Sequence, residues 1–519
     1  MNIPLKTARW LCLGLFLTVS AHSWASSPPP HQLLQEAWYL LESENFSFMS
    51  NIGEQDARST VQELEQFRAV VLHVTGIQVP PARDNIRAIV FANATQFRRI
   101  AYNPEVAGYM RPSPRGDRLV TAGQSQGIDS RLVLFHEYVH YLLRSAADVN
   151  YPPWYDEGLA DTLATVYVEG EKIIVGAPSP VRLQVLMNNP YAVGLSRVLN
   201  LQDLHKVHAF QLGYYLSMSW ALTHYLHTAH FAGGPNHLAQ LELYFRSRRS
   251  EGLSAEQFKQ AFGMSPRQMQ KKVLAHQKRT RQSVLALPRE RFAYHGEIVR
   301  SAMSASDVAV ELITQARLGD LTEAHRIADA ALLHDPDNAH LLSAKGVTYQ
   351  MADQFVEAEP LLRAAYLRDP HDPILASNYA RLLVAQVQSS CRTAEQQSCR
   401  LRLEQARQVY VEALRYTPGS TELRSAYGTL LLTRFGEFAS ALQHLRIALN
   451  KQRWDSSLHL RVGLAHHGLG QRDAAIKQLE QALHWADSEQ KRRAASAVLL
   501  QLAGTDLAGT SGLSGAQRD

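Results

Sequence analysis

His136-Glu137-Tyr138-Val139-His140 lies in an apolar run, with Arg131-Leu132-Val133-Leu134-Phe135 before it and Tyr141-Leu142-Leu143 after it, that reads as a helix. Residues four apart on a helix share a face, so His136 and His140 aim two imidazoles at one place. Glu137 projects beside them, where a metal-bound water would sit. Two imidazole nitrogens and a carboxylate oxygen suit a tetrahedral Zn²⁺, one ion per chain.

The next stretch adds to this. Pro152-Pro153 precedes Trp154-Tyr155-Asp156-Glu157-Gly158-Leu159-Ala160-Asp161, and proline often stands at or before a helix start. Glu157 supplies a third protein ligand and leaves the fourth position to water, as catalytic zinc requires. Asp161, one helical turn on, is placed to accept a hydrogen bond from a ligating imidazole.

With these two elements the chain resembles the gluzincin metallopeptidases of the thermolysin-like superfamily, in which H-E-x-x-H is followed by a helix carrying E-x-x-x-D. Glu157 to Asp161 matches the second element, and Trp154, Glu157, Gly158 and Ala160 match the W-x-x-E-G-x-A wording of small bacterial members. The resemblance implies an α+β zincin-like metallopeptidase domain over 28–295. The bottom-up alternatives are an amphipathic helix with satisfied histidines and a zinc-stabilised binding module without turnover.

Ahead of this domain, residues 1–25 read as a secretory signal. Lys6 and Arg9 precede the apolar Trp10 to Val19, and Ser23-Trp24-Ala25 offers small residues for cleavage after Ala25. The run is too short for a confident membrane span, and Cys12 has no lipobox before it. No later segment is apolar enough to cross a bilayer, so a soluble periplasmic or secreted chain is expected. Its remaining cysteines, Cys391 and Cys399, fit one disulfide in an oxidising compartment. The formal net charge of +5 forms no continuous stripe. Arg246-Ser247-Arg248-Arg249 and Lys271-Lys272 read as solvated helix faces, and no nucleic-acid partner is expected.

The length suggests about two or three domains, and composition shifts near residue 300 to Ala-, Leu- and Arg-rich helical segments. Asp335-Pro336 recurs 34 residues later as Asp369-Pro370, and Thr417-Pro418 follows after an insertion. Small residues repeat before each proline: Ala324 and Ala331, Ala358 and Ala365, Ala406 and Ala413, then Ala475 and Ala482. Gly346 with Tyr349, Gly428 and Gly463 mark first helices. This pattern resembles the tetratricopeptide repeat. It implies an all-α solenoid over 305–490 of about five units, whose groove takes a partner protein or extended peptide, with the Cys391–Cys399 loop inserted in the third. A Gly/Ser-rich tail, 504–519, is expected to be disordered.

In the first half the pattern predicts a helix over Gln62 to Val74, a strand over Arg87 to Phe91, a helix over Ala94 to Ile100, a strand over Arg118 to Ala122, and a long helix over Val207 to Leu226. The gluzincin resemblance implies that an extended substrate adds to the sheet edge near the active helix. A zinc ion held by His136, His140 and Glu157 would lower the pKa of water and polarise a peptide carbonyl. Glu137 acts as general base. Tyr215 is the first candidate for oxyanion stabilisation and Tyr214 the second, with His205, His208 and His224 behind them. Three functions fit these features: an exported zinc peptidase acting on envelope proteins, a non-catalytic scaffold worked by its repeats, and a peptidase-chaperone.

Overall fold

The structure is a computed structural model. It describes residues 30–79, 86–101, 106–111, 116–123, 130–146, 151–188, 192–201, 204, 207–247, 253–278, 284–315, 321–390, 397–486 and 489–510. The signal segment, Cys391, His205, Arg248-Arg249 and residues 511–519 lie outside the described residues.

The first half is built on a six-stranded sheet. Its strands are β1 (Tyr39–Glu42), β2 (Phe46–Ser50), β3 (Ile86–Phe91), β4 (Gly108–Arg111), β5 (Arg118–Ala122) and a late strand, Val299–Ala302. The order is β4-β5-β3-β2-β1 and then the late strand. β2, β3 and β5 run parallel, while β4 pairs antiparallel to the outer side of β5. The period-2 alternation of side chains buries both faces of the sheet. Phe46, Phe48, Ala88, Val90 and Leu119 join one core, whereas Met49, Ile89, Phe91, Val120 and Ala122 join another.

The first core is covered by α1 (Glu54–Thr75) and α3 (Ser130–Ala146), and the second by α2 (Ala94–Ile100) together with helices from beyond residue 300. Phe67 of α1 stacks on Phe135 of α3 with ring centroids 3.9 Å apart, and Phe46 of β2 meets Tyr138 at 4.8 Å. These aromatic anchors fix the helix that carries His136 and His140 against the sheet.

Beyond α3 lies a helical layer: α4 (Pro153–Ala164), α5 (Pro180–Asn188), α6 (Leu195–Asn200), α7 (Ala209–Thr228), α8 (Leu238–Arg246), α9 (Ala255–Phe262) and α10 (Pro266–Gln277). A small sheet of β6 (Tyr167–Glu169), β7 (Lys172–Val175) and β8 (Leu285–Pro288) completes it, which makes the late strand of the first sheet β9. The predicted strands over Arg87–Phe91 and Arg118–Ala122 and the helix over Ala94–Ile100 are present. The first long helix starts eight residues before the predicted Gln62, at Glu54, since the apolar face continues through Ala57 and Val61.

From residue 305 the chain is all α. Five hairpins follow: α11 (Ala305–Thr314) with α12 (Thr322–Leu332), α13 (Ala339–Met351) with α14 (Phe355–Arg368), α15 (Pro373–Ser390) with α16 (Gln397–Tyr416), α17 (Thr421–Leu430) with α18 (Phe438–Lys451), and α19 (Ser456–Gly468) with α20 (Arg472–His484). The repeated small residues are where the helices of a hairpin meet. A Cβ on Gly346 would stand 2.6 Å from Leu362, one on Gly428 2.8 Å from Leu445, and one on Gly463 2.9 Å from Leu479. Ala441 and Ala448 of α18 are buried in the same way and complete the series. Cys399, at the start of α16, is buried and disulfide-bonded.

Two boundaries differ from expectation. Strand β9 lies beyond residue 295 and pairs with β1, so the first domain needs residues up to 302 to complete its sheet. The last helix, α21 (Glu489–Thr510), runs past Gly504. Of the stretch expected to be disordered, 504–510 falls in this helix and 511–519 lies outside the described residues.

The hairpins are not tethered loosely to the sheet. Val308, Leu312 and Ile313 of α11 share one core with Met49, Ile89, Phe91 and Val120. Glu311 pairs with both Arg87 of β3 and Arg118 of β5. Arg111 of the edge strand β4 donates to the Thr314 carbonyl at 2.8 Å.

Candidate metal centre

Helices α3 and α4 bring the predicted ligands together. The Nε2 atoms of His136 and His140 stand 3.1 Å apart. Glu157 places one carboxylate oxygen 3.6 Å from His136 Nε2 and the other 3.8 Å from His140 Nε2. One ligand atom from each of the three residues fits within 4.8 Å of the others, and among the described residues this is the one such cluster. Bond lengths of about 2.0–2.2 Å put tetrahedral ligand atoms roughly 3.3–3.5 Å apart, so the separations suit zinc.

Both imidazoles are fixed from behind. His136 Nδ1 donates to Asp161 at 3.1 Å. His140 Nδ1 donates to Asp156 at 3.0 Å. With the Nδ1 protons so placed, both Nε2 lone pairs face the shared centre. Arg182 of α5 grips Asp161 through two hydrogen bonds, 2.7 and 3.2 Å, and Arg144 lies 3.7 Å from Asp156. Asp156, Arg144 and Arg182 were missed in the sequence. Arg144 follows His140 by one turn and Asp156 precedes Glu157, so a local cue existed for those two. Arg182 arrives from a separate helix and left none.

The charges match the geometry. Burial works against ionisation of both aspartates, but Arg182 and His136 bring Asp161 down to about 2, and His140 and Arg144 bring Asp156 down to about 2. Burial likewise lowers the affinity of the imidazoles for protons, and the carboxylates reverse this. His136 is raised well above its ordinary value through Asp161 and Glu157, and His140 is raised through Asp156 and Glu157.

Glu137 is 1 % exposed, and its Oε1 has no hydrogen-bond partner among the described residues. A buried carboxylate oxygen without a partner is costly, and a water or substrate group beside the metal would satisfy it. The donor set and this orphaned oxygen fit a zinc ion.

Tyr215 of α7 is buried, with the Ser219 side chain beside its hydroxyl. Burial, with the negative charge of Glu157, raises its pKa well above the ordinary value and keeps it a proton donor. Tyr214 lies beside Gln270 of α10. His224 is a core residue: its Nε2 donates to the Gly176 carbonyl at 2.9 Å, and burial depresses its pKa to about 4. His208 caps the start of α7. Neither histidine is among the residues that form the ligand cluster.

No family model matches the sequence, and no curated protein matches it. Among solved structures, a thermophilic TPR protein of Thermus thermophilus is similar at 22% identity and a TM-score of 0.32, over 37% of this chain and 97% of that one. MamA is similar at 20% identity and a TM-score of 0.26, over 34% of this chain and 88% of that one. YrrB, described as a TPR protein with an unusual peptide-binding site, is similar at 16% identity and a TM-score of 0.27, over 37% and 91%.

Proposed function

We propose that this chain is an exported zinc-dependent metallopeptidase that hydrolyses peptide bonds in envelope proteins, with its repeats recruiting a substrate or partner. The observation that carries this reading is the buried, unpartnered Glu137 carboxylate oxygen beside two imidazoles whose Nε2 atoms converge with Glu157. A structural zinc site needs no such group.

His136, His140 and Glu157 would hold the ion, which when bound supplies Lewis acidity and an acidified water. Asp161 keeps His136 in the tautomer that offers Nε2. Glu137 takes a proton from the attacking water and passes it to the leaving amine. Tyr215, held protonated by burial, donates to the oxyanion that develops on the scissile carbonyl. The substrate lies extended along β4, the edge strand beside α3, where strand addition supplies main-chain hydrogen bonds. The five hairpins present the surface for a protein partner.

A scaffold without turnover is the second reading, favoured by one observation: the first hairpin shares a core with the sheet, so the repeats are part of the same body. Glu137→Gln separates the two. On the peptidase reading it loses about 10²–10⁴-fold in hydrolysis of an unfolded protein substrate while keeping its zinc, and partners of the repeats remain bound. A Glu137→Gln chain that acts as the wild type does in vivo, with no hydrolysis by either, favours the scaffold. A peptidase-chaperone predicts binding of misfolded envelope proteins by both and cleavage by the wild type alone.

A further inference from the structure

The metal reading assigns a role to Asp161 but none to Asp156, the residue immediately before Glu157. Asp156 stands in the first turn of α4, where an acidic side chain usually faces water and interacts with the helix dipole. Here it turns back onto α3. One carboxylate oxygen accepts the Nδ1 proton of His140 at 3.0 Å, and the other lies 3.7 Å from Arg144. His140 is 2 % exposed, so this contact is sealed from solvent on the imidazole side.

His140 and Arg144 are four residues apart and occupy successive turns on one face of α3. Asp156 therefore clasps two turns of one ligand-bearing helix from the other, and the next residue in its own chain is the third ligand. We propose that Asp156 is a positioning residue of the metal site: it holds His140 in the Nδ1–H tautomer and, through Arg144, sets the separation of α3 and α4 that brings Glu157 to the two imidazoles. The proposal rests on the zinc reading above.

The site then has two arms of the same build. His136 leans on Asp161, which leans on Arg182; His140 leans on Asp156, which leans on Arg144. The arms differ in burial. The Asp161 and Arg182 side chains are 11% and 9% exposed, against 23% and 26% for Asp156 and Arg144. Both arms join α3 to α4; the second returns to α3 through Arg144, whereas the first continues to α5 through Arg182.

The test is zinc affinity of the full chain by competition with a chelator, for wild type, Asp156→Ala and Asp156→Asn. It is read alongside the cobalt(II) absorption spectrum and the melting temperature of the metal-free chain. Outer partners of a ligating histidine are typically worth about 10–100-fold in metal affinity. Asp156→Ala is expected to lose that factor and to alter the cobalt spectrum. Asp156→Asn, whose amide oxygen still accepts the Nδ1 proton, is expected to retain most of the affinity. A merely structural role would lower the melting temperature and leave the cobalt spectrum of the loaded protein unchanged, and that result overturns the proposal. Should Asp156→Ala not fold, Arg144→Met replaces it: a shifted cobalt spectrum supports the arm and an unchanged one overturns it. A wild type that binds zinc with Asp156→Ala equally tight removes this proposal alone, whereas a wild type that binds no zinc removes the metal reading and this proposal with it.

Discussion

Gly158, the residue after the Glu157 carboxylate, lies so close to α7 that a Cβ there would overlap the carbonyl oxygen of Ser219. The hydroxyl of Thr223 crowds the same point. The helix that bears Glu157 and the helix that bears Tyr215 are thus in backbone contact, and the glycine permits it. Because the obstacle is a main-chain carbonyl, it cannot swing aside.

Gly158→Ala therefore pushes α4 off α7. Overpacking of this kind costs about 1–3 kcal/mol, and here the displacement falls on Glu157. The variant is expected to melt earlier and to bind zinc more weakly than wild type. Unchanged zinc affinity, measured by chelator competition, would show that α4 absorbs the change without moving its ligand.

Zinc uptake should release protons. In the metal-free chain the carboxylates raise the proton affinity of His136 and His140 above the ordinary imidazole value, while the metal takes only neutral imidazole. Affinity is then greatest above the raised values and falls as pH drops through them. Calorimetric titration in two buffers of different ionisation enthalpy, repeated at several pH values, is expected to show proton release that grows as pH is lowered. Release that does not change with pH contradicts the geometry in which both imidazoles are ligands.

Acid should destabilise the helical layer through His224 and His227. Burial lowers both to about 4, against an ordinary value of 6.5. Between those values the unfolded chain binds protons that the folded chain does not, so stability is full above the ordinary value and is lost as pH falls toward the lowered one. Each contributes on the order of 3 kcal/mol over that window. Denaturant unfolding at several pH values is expected to show the loss, and His224→Gln should flatten its share of the slope.

Removing the repeats should damage the first domain. Glu311 sits between Arg87 and Arg118, and breaking one side of a buried pair costs about 3 kcal/mol, with the lower end apt because Arg87 is 34% exposed. Glu311→Ala is expected to lower the melting temperature of the whole chain. A chain ended at residue 302 should expose Ile89, Phe91 and Val120 and aggregate. A monodisperse, folded product of that length would show the sheet domain to be independent.

The cluster of His136, His140 and Glu157 was legible because its signals are local. His136 and His140 share a helix, and Glu157 and Asp161 share the next, so spacing alone places each pair. The hairpins were legible for the same reason, since Ala358 and Ala365 or Gly346 mark contacts within one unit. Legibility ended where contacts are distant in sequence. Arg182 reaches Asp161 from another helix, Glu311 reaches two strands some two hundred residues earlier, and β9 joins a sheet whose other strands end by Ala122.

Metal content bears most directly on the whole account. Elemental analysis of the purified chain, with Glu157→Ala beside it, should find about one zinc per wild-type chain, as three protein ligands and an open fourth position require, and clearly less in the variant. A well-folded wild type without zinc, under conditions where zinc is supplied, would contradict the metallopeptidase account.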